Sequence, residues 1–324
     1  MTIGFDQQRI SARFAAALFA IGLGAVGSLV GASRATAAED ASRWDGDSRN
    51  AARLIAGSSP ASPAAPIRAG IEIRLKAGWH TYWRYPGDAG VPPRLDFAGS
   101  QNVKTVDVLW PAPQRIAEEG LVAIGYTGDV VLPLAIVPED RTKPVTLRLK
   151  LDYAVCEKLC VPAEARAELV INNGPAAQGG SSQVGSSQGG SSQRPLSPAL
   201  QSQSMSPQDA ALTAAEARVP RKAALGEGAP LAVRSVRRED GTPRARIIVD
   251  VVTPPGAEVS LLAEGPSPEW ALPVPMAIGG APPGLQRFAF ELDGAPPGAS
   301  YQGALITLTA IAGEHAIEVA TRLE

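Results

Sequence analysis

Leu147, Leu149 and Leu151 alternate with Arg148, Lys150 and Asp152, and this run leads directly into Cys156. A two-residue period puts apolar side chains on one face and charged ones on the other, the pattern of a half-buried strand. Similar runs recur from Ile67 to Ile171. Ile71, Ile73 and Leu75 alternate with polar neighbours, Val103, Val106 and Val108 follow, and Val130 to Val137 is almost wholly apolar. Ala167, Leu169 and Ile171 close the set. Short runs separated by Pro and Gly turns predict an antiparallel sandwich. A parallel α/β fold is disfavoured, because no long amphipathic helix falls between the strands.

The composition changes abruptly over residues 174–208. Gly179-Gly180-Ser181-Ser182-Gln183, Gly185-Ser186-Ser187-Gln188 and Gly189-Gly190-Ser191-Ser192-Gln193 are near-repeats without a large apolar side chain. Such a stretch buries too little surface to offset its ordering entropy, so it is expected to be a flexible linker. Beyond it, Ser206 can cap a helix with Pro207 in the first turn, continuing from Asp209 to Arg218 until Pro220 stops it. Strands then return from Ala232 to Ala320, with Pro254-Pro255-Gly256, Ala281-Pro282-Pro283-Gly284 and Ala295-Pro296-Pro297-Gly298 as turns. The expected fold class is all-β: one sandwich over 67–173, the linker, then a short helix and a second, smaller β-domain over 209–324.

The first 37 residues read as an export signal. Arg9 and Arg13 precede the apolar stretch Phe14 to Val30, and Ala35-Thr36-Ala37 supplies a small-x-small cleavage site. Past Ala37 nothing approaches the roughly 20 apolar residues of a spanning helix. Residues 38–66, with Ser58-Ser59-Pro60-Ala61-Ser62-Pro63, read as a loose segment. A periplasmic location without membrane insertion after cleavage is expected. The formal charge of −2 becomes more negative when Arg9, Arg13 and Arg34 leave with Asp6. Charges of both signs are scattered, which argues against nucleic acid as a partner.

Cys156 and Cys160 are the two cysteines of the chain. In an exported protein they meet an oxidising compartment. The ring they would close is small, so as a staple it removes little chain entropy. A thiolate at this strand end could attack a partner's disulfide, form a mixed disulfide and be released by the second thiol. Lys158 would favour the thiolate, and Glu157 and Asp152 would oppose it. A structural disulfide remains open, and so does copper(I) held by the two soft sulfurs. Zinc is weaker, since His80 and His315 alone could supplement the pair. No nucleophile–base–acid set or phosphate loop stands out, and no organic cofactor is expected.

Several sequence words match one family in order. Gly78-Trp79-His80-Thr81-Tyr82-Trp83-Arg84-Tyr85-Pro86-Gly87-Asp88-Ala89-Gly90-Val91-Pro92-Pro93 comes first, then Trp110-Pro111-Ala112-Pro113 and Gly125-Tyr126. Tyr153-Ala154-Val155-Cys156-Glu157-Lys158-Leu159-Cys160-Val161-Pro162-Ala163 ends the set. The stretch Ile67 to Ile171 resembles the DsbD N-terminal periplasmic domain family, particularly its ScsB-like relatives. The resemblance implies an immunoglobulin-like sandwich whose cysteine pair, Cys156 and Cys160, relays reducing equivalents to oxidised periplasmic proteins as part of a protein-disulfide reductase. It implies a cap loop over the sulfurs, here Ile116 to Tyr126, with Gly120 and Gly125 as hinges. Tyr82 and Tyr126 would flank the sulfurs, and Cys160 would form the mixed disulfide. A multi-span membrane domain and a thioredoxin-like Cys-x-x-Cys domain are missing from the sequence. A thioredoxin-like donor and a membrane electron transporter would therefore act in trans. Outside the resemblance, Trp79, Trp83 and Trp110 are expected to pack in the core or at its rim. His80 is expected in a hydrogen bond beside a turn, and Arg84 to pair with Asp88 across Pro86-Gly87.

Overall fold

Among the described residues, eleven strands build the first half of the fold. In chain order they are β1 (Asp45–Gly46), β2 (Asn50–Ala56), β3 (Ile67–Leu75), β4 (His80–Gly87), β5 (Arg94–Asp96) and β6 (Val103–Val108). β7 (Gln114–Glu118), β8 (Leu121–Thr127), β9 (Val130–Pro138), β10 (Val145–Cys156) and β11 (Cys160–Ile171) complete the set. One sheet has the order β1-β2-β3-β9-β6; the other runs β11-β10-β4-β8-β7, with β5 also paired to β10. The pairings within both sheets are antiparallel. Alternate residues of each sheet meet in one core, where Leu54, Ile71, Trp83, Leu132, Leu147 and Leu151 are buried. This is an immunoglobulin-like antiparallel sandwich. The computed structural model describes residues 40–58, 62, 64–118, 120–172 and 205–324. The expected signal over 1–37 and most of the expected linker lie outside the described residues.

Several readings from the sequence need correction. Residues 38–66 are not simply loose: β2 lies within them and pairs with β3 along its length, from Asn50↔Leu75 to Ala56↔Ala69. Ala52, Leu54 and Ile55 are buried there. Alanine hides the signal: it fills almost half the positions of Asn50-Ala51-Ala52-Arg53-Leu54-Ile55-Ala56, so the alternation carries little hydrophobic contrast. Trp79 and Trp83 are buried and Trp110 is half-buried against the same core. The pairing expected for Arg84 is also corrected, below.

The helix α1 (Pro207–Glu216) begins where Ser206 Oγ accepts a hydrogen bond from the Asp209 backbone N–H, with proline in the first turn. The sequence grouped this helix with the C-terminal strands. It lies instead on the first sandwich, over β9, β2 and β3. Leu212 is fully buried. Its methyl carbons occupy the space that a Cβ at Gly57 or Gly70 would need, 3.2 and 2.8 Å away. Arg68 fastens the helix from β3, bonding Asp209 and Glu216 at 2.7 Å each.

The second half of the fold is another, smaller β-sandwich. It comprises β12 (Arg221–Lys222), β13 (Ala232–Glu239), β14 (Arg246–Val252), β15 (Ser260–Glu264), β16 (Met276–Ile278), β17 (Leu285–Glu291), β18 (Leu305–Ala312) and β19 (His315–Arg322). Sheets of order β12-β19-β18-β15 and β13-β14-β17-β16 enclose Val249, Leu261, Phe288, Ile306 and Leu308. The described residues of the two sandwiches belong to one compact unit, so the sandwiches touch. Arg84 does not pair with Asp88. Its guanidinium reaches Glu264 at 2.7 and 2.8 Å and Glu318 at 2.5 Å, both on the second sandwich. Burial works against that charge, but the carboxylates outweigh it and hold the Arg84 pKa above its ordinary value. Tyr85 adds a hydrogen bond from its hydroxyl to the Leu272 carbonyl.

Leu212→Ala should remove about 3 kcal/mol of stability, because the pocket between Gly57 and Gly70 cannot collapse around a methyl group. Urea denaturation of the full chain measures it. A change below about 1 kcal/mol would mean that the helix is not seated there.

Candidate functional site

β10 and β11 form a long hairpin whose register runs from Val145↔Ile171 to Cys156↔Cys160. The turn is Glu157-Lys158-Leu159. Directly opposed residues at the end of an antiparallel ladder approach closely. Here the cysteine Cα atoms are 4.2 Å apart and the sulfurs are joined in a disulfide. The environments of the two sulfurs differ. Cys156 is 2% exposed, whereas Cys160 and the preceding turn stand open, Leu159 being 80% exposed.

Strand parity explains where Cys156 is buried. Leu147, Leu149, Leu151, Tyr153 and Val155 face the sandwich core. Cys156 and Ala154 therefore point from the other face of the sheet. They form a separate apolar cluster with Tyr82 and Ala123, against which Ile116 packs. Cys156 is thus covered by the β7–β8 hairpin and Tyr82, not by the core.

β4 lies beside β10 with His80 opposite Cys156. Two residues on, Tyr82 shares that outer face, and its hydroxyl lies 2.9 Å from Cys156 Sγ and 3.1 Å from Cys160 Sγ. The same hydroxyl is 3.3 Å from Glu118 Oε1. Disulfide sulfurs and the Glu118 carboxylate can only accept, so the phenol is the donor and its one proton is shared among them. Glu118, the last residue of β7, is also bonded to His80 Nε2. The His80 ring meets Tyr82 edge-on at 5.5 Å. Burial, reinforced by the Glu118 charge, pushes the Tyr82 pKa up to about 12, so the phenol keeps its proton at neutral pH. Gly90, with φ +119°, lies flat against this ring; a Cβ there would come within 2.3 Å of it.

Of the two tyrosines expected near the sulfurs, Tyr82 is there and Tyr126 is not. Tyr126 pairs with Thr81 rather than with Tyr82, so parity turns it into the core, where its hydroxyl donates to the Pro111 carbonyl at 2.8 Å. The expected cap loop, Ile116 to Tyr126, is a β-hairpin. Gly120 sits in its turn at φ +91° with open space around it. Gly125 is not in a turn. It lies within β8 opposite Tyr82, and a Cβ there would stand 2.1 Å from the Thr81 carbonyl oxygen. Glycine is required at 125 for close backbone approach, not for bending. Glu118 escaped the sequence reading, because an acid followed by Glu119-Gly120 reads as a solvated turn. His315 starts β19 in the second sandwich and His80 is tied to Glu118, so the two histidines do not converge on the sulfurs. Among the described residues, no three or more His, Cys, Asp or Glu side chains are grouped to hold a metal ion.

Chemically, attack by an incoming thiolate on exposed Cys160 Sγ would break the disulfide and expel Cys156 as a thiolate. A thiolate is a far stronger acceptor than a disulfide sulfur, and the Tyr82 hydroxyl, whose proton Glu118 also accepts, stands 2.9 Å from Cys156 Sγ.

Residues 52–172 match the family model described as "Thiol:disulfide interchange protein DsbD, N-terminal". Among solved structures, the N-terminal periplasmic domain of ScsB from Proteus mirabilis superposes with a TM-score of 0.59 at 17% identity. The match covers 88% of this chain and 98% of that one, so its second sandwich has a counterpart there as well. At that identity the likeness establishes the fold. No curated protein matches the chain. Over residues 52–172 the first sandwich is similar to DsbD N-terminal domains. It carries the cysteine pair at one end of its β10–β11 hairpin.

Tyr82→Phe should slow reduction of the oxidised protein by dithiothreitol about tenfold, since a hydrogen bond to a charged group is lost. Stopped-flow tryptophan fluorescence measures the rate, and an unchanged rate would remove Tyr82 from the chemistry. Gly125→Ala should destabilise the fold by about 2 kcal/mol or more, read as a lowered melting temperature, because the β4–β8 ladder must open.

Proposed function

We propose that this protein exchanges thiols and disulfides in the periplasm, taking reducing equivalents from a thioredoxin-like donor and passing them to oxidised client proteins. The observation that carries this reading is the asymmetry of the sulfurs: Cys160 is exposed at a hairpin end, and Cys156 is buried under a protonated phenol. An inert staple needs neither an open sulfur nor a hydrogen-bond donor aimed at the bond.

The cycle balances as two thiol–disulfide exchanges. A donor thiolate attacks Cys160 Sγ, and Cys156 leaves as a thiolate that accepts the Tyr82 hydrogen bond. The donor's second thiolate then attacks its own sulfur in the mixed disulfide. The donor departs oxidised, and this domain holds two reduced cysteines. In the forward direction the Cys160 thiolate attacks a client disulfide, and the expelled client thiolate takes a proton from solvent. Cys156 next attacks Cys160 Sγ, closing the disulfide and releasing the client as a dithiol. No organic cofactor takes part. Electrons reach the donor from a membrane transporter acting in trans, and a signal over residues 1–37 directs export. No helix among the described residues is long and apolar enough to cross a membrane.

The Cys156→Ser variant should accumulate a mixed disulfide through Cys160 with a thioredoxin-like protein, visible by non-reducing electrophoresis and mass spectrometry. Cys160→Ser should trap little, because the remaining sulfur is covered. Absence of any trapped species with both variants, against a panel of periplasmic thioredoxin-like proteins, would overturn the reading.

A further inference from the structure

We propose that the second sandwich is a positioning element for the sulfur site, acting through Arg115 on the hairpin that covers Cys156. The inference deepens the exchange reading and rests on it for its functional meaning, though its structural part can be tested without any partner.

β7 is the edge strand of its sheet, paired with β8 and with no strand beyond among the described residues. β8 in turn is joined to β4 over His80↔Thr127, Thr81↔Tyr126 and Tyr82↔Gly125; the register then shifts, and the next pair is Gly87↔Ala123. The outer part of the hairpin is therefore held to its own sheet by a weak ladder. Yet this part carries Ile116 onto the Cys156 cluster and Glu118 onto His80 and Tyr82.

Arg115 precedes Ile116 on β7 and, by strand parity, projects from the opposite face. There its guanidinium enters the second sandwich. Nη2 donates to the Leu261 carbonyl at 2.7 Å and the Pro275 carbonyl at 2.6 Å, and Nε donates to Ser260 Oγ at 3.0 Å. Nη1 lies 3.8 Å from the Met276 sulfur. The three oxygen acceptors are neutral, and each is fixed by backbone or a short side chain. A planar guanidinium that satisfies two carbonyls and a hydroxyl at once holds its strand in one place.

β4 repeats the arrangement. It carries His80 and Tyr82 to the sulfurs and, further along, Arg84 to Glu264 and Glu318. Both strands that shape the site are thus gripped at one end by the second sandwich. The C-terminal sandwich thereby sets how tightly the cover sits over Cys156.

The test uses the full chain with Arg115→Met, Glu118→Gln and the double variant. Amide hydrogen exchange in oxidised protein should speed up about tenfold across 116–122 in Arg115→Met, as expected for losing charge-assisted bonds. Amides of Ile247–Val251 in β14 should exchange as in the parent, which separates local release from unfolding. In reduced protein, iodoacetamide should modify Cys156 about tenfold faster in Arg115→Met. If Arg115 acts by holding the cover, adding Arg115→Met to Glu118→Gln should raise that rate by less than about twofold. Arg115→Lys should restore part of the protection. Unchanged exchange over 116–122, or fully additive effects in the double variant, would overturn the proposal. Loosening of the hairpin in a protein that traps no partner would leave this proposal standing and remove the exchange reading instead.

Discussion

The two-residue period of β10 is the constraint on which the site depends. Its odd-numbered residues from Val145 to Val155 hold the two sheets of the first sandwich together. That commitment sends Cys156 to the other face of the same sheet. A shift of one residue would seal the sulfur inside the core, beyond any partner. In the observed register the sulfur lies outside the core, under a cover that belongs to a different part of the chain. The same parity puts His80 and Tyr82 beside it from β4 and turns Tyr126 away from it.

Around that constraint the polar groups form one connected set. A single phenol hydroxyl stands within hydrogen-bond range of both sulfurs and of Glu118, and Glu118 is held in turn by His80. Burial keeps the phenol protonated, so it remains a donor when a neighbouring sulfur acquires charge. Gly90 and Gly125 serve this set in a negative way: each is a place where a side chain would displace the Tyr82 ring or the strand that carries it.

The two sandwiches contribute unequally to the site. Apolar packing stabilises each around its own core. Between them, Leu262 and Val274 of the second sandwich are buried in the first's apolar cluster, and beside that packing stand polar, directional contacts: Arg84 with two carboxylates, Arg115 with two carbonyls and a hydroxyl, and Tyr85 with a carbonyl. Such contacts fix orientation more than they add stability, because desolvation offsets much of the attraction. They meet β4 and β7, the strands that carry His80, Tyr82 and Glu118 to the sulfurs.

Local pattern was enough to establish the all-β class, the hairpin that ends in the cysteines and the Ser206-Pro207 helix start, and ordered sequence words carried the likeness of the first sandwich to DsbD N-terminal domains. Those features are written within a few residues of one another, in alternation, turn residues and spacing. β2 escaped because alanine gives too little contrast between its two faces. Glu118 escaped for a different reason: it lies 38 residues from the histidine it binds, and nothing local distinguishes it from a turn acid. Arg84 misled for the same reason, since a nearby Asp88 was visible and Glu264, 180 residues away, was not. The helix, too, docks on a surface built from strands far earlier in the chain. The sequence by itself determined which residues alternate and which cysteines can meet. Tertiary structure alone decided what covers Cys156, which tyrosine reaches it and what holds that cover, because those contacts join groups that only sheet register and sandwich packing bring together.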